Sequence, residues 1–149
     1  MTDRVANGLG EGRLVHVDAR VFALHLLGDP SVLPLTRDLV RGIRDGGIKA
    51  QTSVLTLYQL LAEVYRRGLS SESAEIARTI TIHGGLELVD VTPEISIQAA
   101  EVRAQLGGRP ERALQVATAL VRRANVFLTT ESGLRRIAGM AVTNLVDLA

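Results

Sequence analysis

At 149 residues, with 46% hydrophobic and 22% charged side chains, the chain is long enough for one domain with a sizeable core and too apolar for disorder. The absence of cysteine excludes disulfides and thiolate metal sites, and 3% aromatics with no tryptophan leaves few rings to stack on bases. The net charge of +1 supplies no global basic field, no run reaches the ~18 apolar residues of a membrane span, and no signal-peptide layout is visible, so a soluble cytoplasmic protein without a membrane partner is expected.

Residues 1–12 hold three glycines, mixed charges and no periodicity. They are expected to form a flexible N-terminal arm, with the folded domain over 13–149. Residues 14–17 are a short apolar run ending at Asp18, the pattern of a buried strand. A short helix is expected over 21–27, closed by Gly28-Asp29-Pro30. Ser31 is placed as the cap of the next helix, in which Leu35, Leu39 and Ile43 recur every four residues while Arg37, Arg41 and Arg44 point away. Residues 48–52 read as a second strand. Ser53 reads as the N-cap of a helix with Val54, Leu57, Tyr58, Leu61, Val64 and Tyr65 on one stripe, stopping at Gly68.

Ser70 and Ser71 open another helix that Gly84-Gly85 end. Residues 86–91 read as the third strand. Thr92-Pro93-Glu94 combines a cap, a proline suited to the first helical position and an early acid, so a helix is expected from there to Gly107-Gly108. Pro110 starts a further helix through Arg123. Residues 126–128 read as the fourth strand, leading to Thr129, Thr130 and Glu131; a short helix is expected over 133–137 and a last strand over 142–146. Five strands separated by helices predict an α/β fold: a parallel sheet with helices on both faces and its site at the carboxyl ends of the strands.

Four stretches carry a family resemblance: HVDARVFAL at 16–24, SVLTLYQLL at 53–61, RALQVATAL at 112–120 and FLTTESGLRRI at 127–137. In order and spacing the chain after residue 13 resembles the PIN domain family, in the compact form of VapC-type toxin ribonucleases. The resemblance implies a PIN-like three-layer α/β/α sandwich with a five-stranded parallel sheet. It also implies a site in which acidic side chains from separate segments hold Mg²⁺ or Mn²⁺, which activates water and stabilises the charge on the phosphate being cut.

Carried over residue by residue, the resemblance makes Asp18 and Glu131 the remnant acids. Gln59 stands where the family has Glu, and Arg112 where it has Asp. Arg20 stands where the family tends to carry a small polar residue, and Ser53 and Thr129 are pocket neighbours. An intact site of four acids carries about −4; here Asp18, Gln59, Arg112 and Glu131 sum to −1, and Arg20 brings this to 0. One opposite charge at ~4 Å is worth roughly 4 kcal/mol at an effective dielectric near 20, so Arg112 competes with a divalent ion for the carboxylates. Glu111 and Glu63 are the acids that could compensate. A helix step of about 100° separates Glu111 from position 112, and a rise of about 6 Å separates Glu63 from position 59.

The expected function is therefore a binding module for RNA or a protein partner, with little or no catalysis and no cofactor. The partner would resemble an antitoxin, and a homodimer is expected. Two alternatives stand beside this: an active endoribonuclease using Mg²⁺ or Mn²⁺ on Asp18 and Glu131, and a structural dimerisation module. His16, His25 and His83 have no metal spacing, and His16, on the same side of its strand as Asp18, reads as a core histidine. The pairs Arg66-Arg67, Arg122-Arg123 and Arg135-Arg136 either form an RNA-tracking rim or complement helix dipoles.

Overall fold

In the computed structural model, which describes residues 4–134 and 136–149, five parallel strands lie in the order β3-β2-β1-β4-β5. They are β1 Leu14–Val17, β2 Lys49–Ser53, β3 Leu86–Val89, β4 Val126–Thr129 and β5 Ala141–Asn144. The helices are α1 Arg4–Leu9, α2 Ala19–Leu26, α3 Leu33–Arg44, α4 Leu55–Arg66, α5 Ser73–Thr81, α6 Pro93–Leu106 and α7 Pro110–Val121. Alternation along each strand divides the side chains between two apolar layers. Val15, Val17, Ala50, Val126 and Leu128 pack with α1, α2, α3 and α5. Phe127 packs with Ile95, Ala99 and Val102 of α6 and Val116 of α7 on the other face. The three-layer α/β/α sandwich is thus as expected. No helix among the described residues is long and apolar enough to cross a membrane.

The local signals act where the chemistry is strong. Thr92 Oγ1 accepts from the Ile95 amide at 3.2 Å and Pro93 occupies the first turn of α6. Ser53 Oγ accepts from the Leu55 amide at 3.1 Å, and Gly68 (φ 72°) closes α4. On α3, Leu35, Leu39 and Ile43 are all buried.

Four expectations need correction. The described part of the N-terminal arm is a helix, α1, whose Val5 and Leu9 are fully buried against α3; two apolar residues four apart suffice to anchor it. Ser31 does not cap α3: its amide and hydroxyl both donate to Asp29 Oδ1, at 2.9 and 2.6 Å, so Asp29 organises that turn. The described residues around 133–137 are not helical; Ile137 instead forms an isolated antiparallel bridge with Met140, and Arg135 lies outside the described residues. Finally, α4 is rotated from its predicted stripe. Thr56, Leu60 and Val64 face inward while Tyr58 and Tyr65 are more than half exposed, because Thr56 is drawn in by hydrogen bonds to Thr52 and Gln115.

One turn fixes how α3 sits against β3. Gly85 has φ 82°, and a Cβ there would collide with the backbone oxygen of Ile43. Gly85→Ala is expected to cost about 1–3 kcal/mol, since backbone as well as φ must yield. Gly84→Ala, which meets nothing, is expected to be near neutral. Urea denaturation of the two variants checks the contrast.

Candidate functional site

The chain runs β1 to β2 to β3 on one side of β1 and returns to β4 and β5 on the other, so the strand order reverses between the carboxyl ends of β1 and β4. Open parallel sheets bind ligands at such a point. Asp18 follows β1 directly, and its amide donates to Leu128 O of β4 at 2.9 Å. Thr129 ends β4; its hydroxyl donates to Asp18 Oδ2 at 3.0 Å and accepts from the Glu131 amide at 3.0 Å. One threonine therefore ties Asp18 and Glu131 to the same corner of the sheet.

Arg112 reaches this corner from the first turn of α7. Its Nε donates to Glu131 Oε2 at 3.1 Å, and its Nη2 donates to the same oxygen. The pair is partly buried, with 25% of the arginine side chain and 38% of the glutamate side chain exposed. Solvent screening keeps its net worth near the upper end of the surface-pair range, about 1 kcal/mol. Burial pushes the Asp18 carboxyl up to about 6; the Glu131 charge adds to this, while Thr129, the Ala19 amide and Arg112 oppose it.

Gln59 joins through a buried polar chain. Gln51 Nε2 bonds His16 Nδ1 at 3.0 Å, and His16 Nε2 bonds Gln115 Oε1 at 2.7 Å. Gln115 Nε2 donates to Thr56 Oγ1 and to Gln59 Oε1, each at 2.9 Å. Thr56 in turn bonds Thr52, whose hydroxyl donates to Val17 O, the two links both 2.7 Å long. His16 lies two residues before Asp18 on β1, and Gln115 lies one turn after Arg112 on α7. Asp18, Thr129, Glu131 and Arg112 are thus linked at one corner, and Gln51, His16, Gln115 and Gln59 form a second hydrogen-bonded chain related to the first through β1 and α7.

The other expected residues lie elsewhere or act otherwise. Glu63 is held by Arg66 and Arg67, whose hydrogen bonds keep its carboxyl down at about 2. Glu111 occupies the first turn of α7, one residue off the Arg112 face. Ser53 ends β2 and, contrary to expectation, is not the N-cap of α4, which is Val54; its hydroxyl accepts from the Leu55 amide. Arg20 is exposed on α2, where its charge acts on Asp29. Arg122 pairs with Glu87. His16 is a satisfied core histidine, stacked on Phe127 at 5.4 Å with its pKa lowered by burial to about 4. Sequence reasoning missed Gln51, Thr56 and Gln115. Their signal was present: polar residues at positions where strand and helix periodicity demands apolar ones.

Residues 15–140 match the sequence profile of the PIN domain. The chain belongs to the PIN domain family. No curated protein matches it at a significant level. The PIN fold is seen again in solved structures of low identity. A chain of DNA-bound VapBC from Salmonella typhimurium superposes with TM-score 0.70 at 16% identity, over 89% of this chain and 98% of that one. A chain of VapBC2 from Rickettsia felis bound to a promoter DNA fragment gives 0.66 at 14% identity, over 88% and 98%. A chain of a toxin–antitoxin complex from Klebsiella pneumoniae gives 0.63 at 12%, over 88% and 97%.

A PIN fold implies a divalent metal at this corner, and the residues present do not fit one. Mg²⁺ requires hard oxygen donors in near-octahedral array. Glu131 Oε2 is taken by a guanidinium, Asp18 Oδ2 accepts from Thr129, and the Gln59 oxygen is turned inward to Gln115. Among the described residues, no group of three His, Cys, Asp or Glu side chains converges to hold a metal ion.

Proposed function

We propose that this PIN-family chain is a binding module with a degraded acid site, which cuts RNA poorly or not at all and acts by engaging RNA or a protein partner of the antitoxin kind. The observation that carries this reading is the Arg112–Glu131 pair: a fixed cation stands where the fold's chemistry needs a divalent one. The partner side of the proposal draws support from the solved structures of similar fold, which are toxin–antitoxin assemblies. A homodimer is part of the same reading.

Millimolar Mg²⁺ or Mn²⁺ is expected to leave the melting temperature of the native chain almost unchanged. A ligand at 100 times its Kd would add about 2.7 kcal/mol. A saturable shift of that size, abolished by Asp18→Asn and accompanied by metal-dependent RNA cleavage, would establish the active-nuclease reading instead. RNA binding that weakens steeply with salt separates an RNA-binding module from a purely structural one.

A further inference from the structure

A single direction of hydrogen bonding runs through the buried chain behind the cleft. Gln51 Nε2 donates to His16 Nδ1, which accepts only when that nitrogen carries no proton. The ring proton is then on Nε2, which donates to Gln115 Oε1. With its oxygen so used, Gln115 turns its Nε2 outward and donates to Gln59 Oε1. The oxygen of Gln59 therefore faces inward, and its NH₂ group has no partner among the described residues. The cost of this direction falls at the far end, where Gln51 Oε1 is buried without a partner among the described residues. Reversing every link would orphan the Gln51 nitrogen instead and turn the Gln59 carbonyl outward. The two directions differ at the cleft only in whether position 59 shows a donor or an acceptor.

A second donor lies one turn away on α7. Arg112 spends Nε and Nη2 on one oxygen of Glu131, and its Nη1 has no hydrogen-bond partner among the described residues. Gly108 and Gly133 stand beside the guanidinium: a Cβ would lie 3.5 Å from Nη1 at the first and 3.6 Å from Nη2 at the second. No side chain at either position covers it. Of the two acids nearby, Glu131 is paired by Arg112 and Asp18 is buried behind Thr129.

We infer that His16, held as its Nε2–H tautomer between Gln51 and Gln115, sets the specificity of the cleft by making Gln59 a hydrogen-bond donor, so that Gln59 Nε2 and Arg112 Nη1 together receive an oxyanion rather than a cation. The oxyanion is a phosphate or carboxylate oxygen. This inference rests on the reading that the acid site no longer holds a metal. Gln115 is the positioning residue, because it alone transmits the direction from the imidazole to Gln59.

The test is nuclear magnetic resonance of the full chain, with inorganic phosphate, acetate and Mg²⁺ titrated separately. The imidazole nitrogens of His16 are expected to report the Nε2–H tautomer. Phosphate is expected to move the Gln59 side-chain amide saturably, and Mg²⁺ is not. Movement with phosphate alone points to a nucleic-acid backbone as the source; movement with acetate as well points to an acidic side chain. Gln115→Glu keeps the acceptor for His16 but cannot donate to Gln59. It is expected to preserve the tautomer and weaken the phosphate response roughly tenfold, about the worth of one hydrogen bond. A His16 Nδ1–H tautomer, or no response to either anion, overturns the inference and leaves the proposed function standing. A saturable Mg²⁺ response lost in Asp18→Asn overturns the proposed function itself.

Discussion

Asp18→Asn is expected to stabilise the protein by up to about 3 kcal/mol at pH 7.5 in metal-free buffer. The carboxyl is buried and lies beside the Glu131 charge, which raises its pKa from 3.8 to about 6. Because the folded-state value lies above the unfolded one, its contribution to stability is fully present below 3.8 and is lost as pH rises through about 6. His16 works in the opposite sense. Its folded value is lowered from 6.5 to about 4, so its contribution is present above 6.5 and is lost as pH falls through about 4. Between about 4 and 6 the native state holds one extra proton on Asp18 while the unfolded state holds one on His16. The two slopes cancel in the native chain. Asp18→Asn removes one of them and exposes the other, so the variant should lose about 1.4 kcal/mol per pH unit from His16 alone as pH falls across this window. Urea denaturation at a series of pH values gives the difference directly. It should be near zero below pH 4 and reach its full value above pH 7. A variant less stable than the native chain at pH 7.5 would mean that the carboxylate is stabilised there by something other than Thr129 and Arg112.

Much of this architecture was legible in the sequence because the signals were local and chemically strict. Thr92-Pro93-Glu94 can open a helix and do little else, and a four-residue apolar run before Asp18 is a strand when glycines and helices flank it on both sides. What failed shows the reverse. Tyr58 and Tyr65 fall at helical spacing on one stripe with Leu57, Leu61 and Val64, yet both are more than half exposed. The inward face of α4 is instead set by the Thr56 hydroxyl, which finds partners in Thr52 and Gln115 that are distant or unremarkable in sequence. The N-terminal helix was missed because two apolar residues among glycines and charges are too few to register, although burial of both anchors it. At the site, the positions of Asp18, Gln59, Arg112 and Glu131 came from resemblance, while the geometry adds Thr129 as the residue joining the acids. The direction of the Gln51–His16–Gln115–Gln59 chain could not be read from sequence at all, since it depends on which atom of each amide meets which ring nitrogen.

The second large effect is expected from Gln59→Glu combined with Arg112→Asp. The pair moves the four-position charge from −1 to −4 and supplies two further oxygen ligands. Gln59→Glu also suits the existing scaffold: Gln115 Nε2, which now donates to the Gln59 oxygen, would donate as well to a carboxylate there. Arg112→Asp releases Glu131 from its guanidinium. Either change alone should do less, since the first leaves Arg112 competing and the second leaves a ligand missing. Without metal, the double variant should be less stable than the native chain, because clustered carboxylates repel and raise one another's pKa. The most direct test of a degraded acid site is calorimetric Mn²⁺ binding to the native chain, both single variants and the double variant. The account predicts no measurable heat of binding for the native chain and a saturable one for the double variant; native binding as tight as that of the double variant would contradict it.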